Sequence, residues 1–173
     1  IVLNSWTSGL IASVGALDIN PGDEIIVSPW TMSATATAIL HWNAIPVFAD
    51  IEPKTFSIDP IKVKKLITKK TRAIITVDIF GHPSKLNELK KIVKNKNIKI
   101  ITDSAQAPFS FYGKKLAGTQ SDLGGFSFNC HKHIQTGEGG VVVTNNKKFA
   151  DRVKLIRNHA EAVVERKKVK NLN

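Results

Sequence analysis

Short runs of apolar, mostly β-branched residues alternate with amphipathic runs along the whole chain, and no other feature restricts the fold as much. A strand with one wet face alternates apolar with polar residues. Here Glu24–Ser28, Ala73–Asp78 and Ile98–Asp103 read instead as dense Ile and Val stretches, the last two closing on Asp. Strands of that kind are buried on both faces. The segments between them carry helical spacing, as in Leu10, Ile11, Val14 and Leu17. The expectation is an α/β fold, a mostly parallel mixed sheet flanked by helices. The predicted strands are Ile1–Leu3, Glu24–Ser28, Pro46–Asp50, Ala73–Asp78, Ile98–Asp103, Gly124–Phe128 and Gly140–Thr144. The predicted helices are Thr7–Leu17, Ser33–Trp42, Ile61–Ile67, Leu86–Val93 and Lys147–Arg157. Asp59 and Pro60 supply a cap and a first helical residue for the third helix.

The length of 173 residues suits one domain with a real core. The formal charge is +11, yet 21 of the 25 basic residues lie in three stretches, 62–72, 85–99 and 147–170. Each reads as a solvated helix face or tail, so no nucleic-acid partner is expected. The single cysteine, Cys130, forbids an intrachain disulfide and suits a reducing compartment, hence a cytoplasmic location. No run of 18 apolar residues occurs and the first residues do not resemble a signal peptide, so no membrane association is expected. The chain starts without Met inside an apolar run and stops in a basic, polar stretch, which points to a piece of a longer protein.

Ligands of open α/β sheets sit beyond the carboxyl ends of the strands. Five groups occupy such ends: Asn4–Ser8, Trp30–Met32, Asp78–His82, Asp103–Gln106 and Ser127–Lys132. Asp103 needs a cation if buried, either a structural Lys or Arg or a protonated ring nitrogen of a cofactor. Lys132 stands alone between Lys115 and Lys147, after a strand and before the Gly-rich turn Thr136–Gly140. It reads either as solvated surface or as an amine held at a partly dry cleft, where it can form a Schiff base. Thr7 and Ser8 open a helix, as caps or as a phosphate site. Ser127 is core filler or a second phosphate donor, and Trp30 and Met32 pack in the core or stack on a flat ligand. The five histidines lack metal-ligand spacing, so no metal is expected. GxGxxG, GxxxxGK[ST] and GxSxG are all absent.

Seven segments, NSWTSGL, NPGDEIIVSPWTMSATA, PVFADIEPKTFSID, TRAIITVDIFGHP, ITDSAQA, FSFNCHKHIQTGEGG and RNHA, resemble in order and spacing the DegT/DnrJ/StrS sugar aminotransferases. These are pyridoxal phosphate (PLP) enzymes of aspartate-aminotransferase-like fold. The resemblance implies that residues 1–173 are the PLP-binding large domain, incomplete at its N-terminus and without the family's C-terminal small domain. It implies that Lys132 forms the Schiff base with PLP and moves the proton, and that Asp103 pairs with the ring nitrogen. It also implies that Gln106 contacts the ring and its phenolic oxygen, and that Thr7, Ser8 and Ser127 bind phosphate. Met32 falls where the family usually places an aromatic ring against the cofactor, and Trp6 where it commonly has Gly.

The implied reaction moves an amino group, with glutamate the expected donor, to a keto carbon of a nucleotide-linked sugar, in a homodimer. PLP would act as the electron sink. Two alternatives remain at this point. One is a sugar dehydratase of the same family, which has His in place of the lysine. The other is a non-catalytic regulatory relative. Lys132 stands 29 residues after Asp103 and four after Phe128, the lysine's place in the family pattern.

Overall fold

In the computed structural model, which describes residues 1–159, the strands form one seven-stranded sheet. In chain order the elements are β1 (Val2–Leu3), α1 (Trp6–Gly15), β2 (Glu24–Val27), α2 (Ser33–Leu40), β3 (Ile45–Phe48), α3 (Pro60–Leu66) and β4 (Thr71–Val77). There follow a 3-10 turn (Ile79–Gly81), α4 (Leu86–Val93), β5 (Lys99–Asp103), β6 (Phe111–Tyr112), β7 (Lys115–Leu116), β8 (Leu123–Ser127), β9 (Gly140–Val143) and α5 (Lys147–Arg157). The sheet order is β1-β9-β8-β5-β4-β2-β3. The five strands from β8 to β3 are mutually parallel, and β9 runs antiparallel to both β8 and β1.

Each central strand distributes its side chains to two cores. Ile25, Val27, Ile75 and Ile101 face one way, against Leu10 and Val14 of α1, Ile39 of α2, and Phe149 and Val153 of α5. Ile26, Ile74 and Ile100 face the other, against Val63 of α3 and Leu86, Leu89 and Val93 of α4. Both faces are covered, which is why these strands are uninterrupted apolar runs. The spacing of Leu86, Leu89 and Val93 puts one stripe of α4 on the sheet and its lysines in water.

Local chemistry sets the helix starts. Asp59 accepts the Ile61 amide at 2.7 Å, with Pro60 in the first turn of α3. Asn146 accepts the amides of Lys148 and Phe149 and starts α5. α1 begins one residue earlier than expected, because Ser5 is the cap and accepts the Ser8 amide at 3.1 Å. It ends at Gly15, and α2 ends at Leu40, each two residues short of expectation. The β6–β7 hairpin was not expected. Two-residue strands are too short for an alternating pattern to declare itself.

The lysines of α3 and α4 are exposed, while Arg72 pairs with Asp23 at 3.1 Å and Lys85 with Glu52 at 2.6 Å. The basic tail beyond residue 159, with the last residue of the RNHA segment, lies outside the described residues. No helix among the described residues is long and apolar enough to cross a membrane. Cys130 is free and exposed.

Candidate active site

The carboxyl ends of the strands open on a cleft of about 340 Å³. Among the residues singled out from the sequence, Thr7, Met32, Asp103, Gln106, Ser127 and Lys132 line it. Ser8 does not; its amide and hydroxyl both engage Ser5. Four of the five strand-end groups therefore meet at the cleft. The fifth, Asp78–His82, stands behind it. Asp78 is buried and accepts the Ser84 amide and the Ser104 hydroxyl, and the Phe80 amide donates to Gln106 Oε1 at 2.9 Å. Trp30 and Met32 are not core residues: they are 49% and 64% exposed, Met32 at the mouth of the cleft.

Asp103 closes β5 and is 4% exposed. Its Oδ1 accepts the Trp6 indole N–H at 2.7 Å and the Ala105 amide at 3.1 Å, and its Oδ2 accepts the Thr35 hydroxyl at 2.9 Å. Burial pushes its proton affinity above the ordinary carboxylate range. The amide of Ala105, the Thr35 hydroxyl, the Trp6 indole and the charge of Lys132 pull it back. The indole, the hydroxyl and the amide are all neutral donors, which leaves a buried carboxylate suited to a cationic partner in the cleft.

Lys132 sits on the loop after β8, half-buried, with its amide bonded to the Asn129 carbonyl at 2.9 Å. Asn129 organises this loop. Its side chain accepts the His131 amide at 3.1 Å and donates to Glu138 at 2.6 Å, while its amide donates to Ser127 Oγ at 3.3 Å. At the opposite wall, α1 presents its N-terminus. Ser5 caps Ser8, and the helix itself offers no acceptor for the amides of Trp6 and Thr7. Thr7 is exposed there, on the cleft lining.

The cleft thus combines an amine, a buried carboxylate and a helix N-terminus. The model of the DegT/DnrJ/EryC1/StrS aminotransferase family matches residues 1–172. The chain belongs to this family. It is 42% identical over 159 residues to Uncharacterized protein MJ1066 of Methanocaldococcus jannaschii, covering 92% of this chain and 41% of that protein. It is 36% identical over 157 residues to the GDP-perosamine synthase of Caulobacter vibrioides, covering 91% of this chain and 42% of that protein. Its fold matches the E. coli GDP-4-keto-6-deoxy-D-mannose-3-dehydratase, solved with hydrated PLP, at a TM-score of 0.86 and 30% identity, over 92% of this chain and 42% of that one. The chain spans about two fifths of the length of the family members it matches. The residues present fit PLP: Asp103 has the buried charge that a protonated ring nitrogen would satisfy, and Lys132 has the amine that its aldehyde requires.

Several residues of the site were given no individual role from the sequence. Ser5 had a readable signal, a hydroxyl residue just ahead of an apolar-periodic run. Trp6 stood out only as a departure from the family pattern. Nothing local marks Thr35 as a partner of Asp103, or Asn129 and Glu138 as a pair. Among the described residues no group of His, Cys, Asp and Glu is placed to hold a metal ion.

Burial also pushes the Asp78 carboxyl above its usual range, against the bonds from Ser104 and Ser84. The folded chain then holds this proton more tightly than the unfolded chain, so unfolding releases it. The resulting stability is present below the unfolded value, near pH 4, and is lost as pH rises through the folded value. The melting temperature of the cofactor-free protein, less that of Asp78→Asn, is expected to fall as pH rises across that window. A flat difference would show that Asp78 titrates as it does in water.

Proposed function

We propose that this chain is the cofactor-binding large domain of a PLP-dependent sugar aminotransferase, in which Lys132 supplies both the covalent anchor and the base. The observation that carries the reading is the meeting of Lys132 and the buried Asp103 carboxylate in one cleft. The family match and the fold similarity support it. The expected substrates are glutamate as amino donor and a nucleotide-linked ketosugar as acceptor, and the expected working form is a cytoplasmic homodimer.

When bound, PLP withdraws electrons from the substrate carbon so that a proton can leave it. Asp103 would hold the ring nitrogen in its protonated form. Lys132 would hold the cofactor through its aldehyde and, as a free amine, would accept and return the proton at the substrate carbon. Gln106, held by the Phe80 amide, would contact the ring from the cleft lining. Ser127, Thr7 and the free amides at the start of α1 hold the phosphate. Ser8 supports that end through Ser5. Met32, at the cleft mouth, would offer a thioether to the ring.

The fold similarity to a 3-dehydratase favours a second reading, elimination of a hydroxyl from the same class of sugar. Lys132 separates the two, because the dehydratase pattern carries His at this place. The test is to mix the intact protein with PLP, reduce with borohydride, digest, and weigh the peptides. A pyridoxyl mass confined to the peptide containing Lys132 is expected. Label spread over surface lysines, or none, would overturn the reading.

A further inference from the structure

Trp6 is the first residue of α1 and is 4% exposed. The family pattern commonly has Gly there, so the indole is a feature of this chain. Its ring lies where two glycines make room. A Cβ at Gly125 would stand 2.0 Å from Trp6 Cζ3, and one at Gly9 would stand 2.6 Å from Trp6 Cε3. Gly125 is the residue paired with Asp103 across β5 and β8. The missing side chain on β8 is therefore what lets the indole lie beside the carboxylate. The result is a short bond, 2.7 Å from Nε1 to Oδ1, between two side chains that are each 4% exposed.

The donors are divided unevenly. Oδ1 takes two, the indole and the Ala105 amide at 3.1 Å. Oδ2 takes one, the Thr35 hydroxyl at 2.9 Å, which is itself 2.8 Å from the hydroxyl of Thr31 on the cleft wall. A carboxylate oxygen has room for a second donor.

We propose that Trp6 is a positioning residue: its indole N–H locks the Asp103 carboxylate so that Oδ2 is the oxygen presented to a protonated ring nitrogen in the cleft. This rests on the reading of the cleft as a PLP site. The other charged groups acting on or through Asp103 are Lys132 across the cleft and Asp78 behind it. Neither is among its hydrogen-bond donors, so orientation falls to Trp6, Ala105 and Thr35. Pre-setting one acceptor geometry removes the cost of arranging it on binding.

A merely space-filling Trp6 predicts something different, and two measurements on the intact protein separate the cases. The first follows the indole N–H resonances of isotope-labelled tryptophan, with Trp6 assigned as the one lost in Trp6→Phe. The Trp6 resonance is expected to move in Asp103→Asn and again when PLP saturates the unmodified protein. That of Trp42, bonded to the Ile11 carbonyl at 2.8 Å, is expected to stay. The second is the PLP dissociation constant of Trp6→Phe, which keeps an aromatic ring but drops the donor. A rise of about tenfold is expected, the scale of one hydrogen bond to a charged group. A Trp6 resonance indifferent to both changes, or an unaltered PLP affinity in Trp6→Phe, would overturn the proposal. If PLP fails to label Lys132 in the unmodified protein, the PLP reading fails and takes this one with it. The Asp103→Asn spectra need no cofactor and would still read the Trp6–Asp103 bond.

Discussion

With Lys132→Ala in the intact protein, amino transfer from glutamate to a nucleotide-linked ketosugar is expected to fall by at least about 10⁴-fold, because one side chain is both the anchor and the base. The loss should sit in the rate of the chemical step. PLP should still bind, through Asp103 and the N-terminal end of α1, but borohydride should no longer fix it to the chain. Folding should be little affected. Lys132 is half-buried, and the bond that shapes its loop is made by its backbone amide to Asn129, which alanine keeps. The checks are initial rates of amine formation and a melting curve of each form. A variant that still transfers amino groups would remove Lys132 from the chemistry. One that still removes a hydroxyl from the sugar would turn the assignment to the dehydratase.

Asp103→Asn is expected to separate activity from stability. The carboxylate is almost fully buried and, in the proposed reading, serves the ring nitrogen, so its loss should lower turnover by roughly 10³-fold, the scale of losing one electrostatic contact in a low-dielectric site. The melting temperature of the cofactor-free protein should stay level or rise. The amide oxygen of Asn can accept from Trp6 and Ala105 as Oδ1 does now, and its NH₂ can donate to Thr35 Oγ1, which accepts as readily as it donates. What disappears is the cost of holding a charge where burial raises its proton affinity. Stability without the cofactor and turnover with it should therefore move in opposite directions. A parallel fall in both would mean that Asp103 is structural.

Much of this architecture is legible in the chain because the signals are local. α4 and α5 come out at their expected bounds, since an apolar stripe of period 3.6 is complete within each segment. The double-sided burial of β2, β4 and β5 is equally plain in their Ile-rich runs. Asp103 and Lys132 could be found because each ends or follows a strand. What helix ends need is finer. α1 starts at Trp6 because Ser5 turns its hydroxyl to the Ser8 amide, a choice among several hydroxyl residues in a row.

The partners of Asp103 show where local reading stops. Trp6 is 97 positions away and Thr35 is 68. Neither distance leaves a period or a motif in the chain. Their meeting depends on α1 and α2 packing side by side on one face of the sheet, and on Gly125 being bare of a side chain. The same is true of Phe80 and Gln106, which belong to neighbouring loops. Residue types and their spacing carry the elements, the covered sheet and the reactive groups, because those follow from hydrophobic period and covalent neighbourhood. Which donor reaches which oxygen, and which amine shares a cleft with which carboxylate, comes only from tertiary packing, because hydrogen-bond geometry depends on distances that packing alone sets.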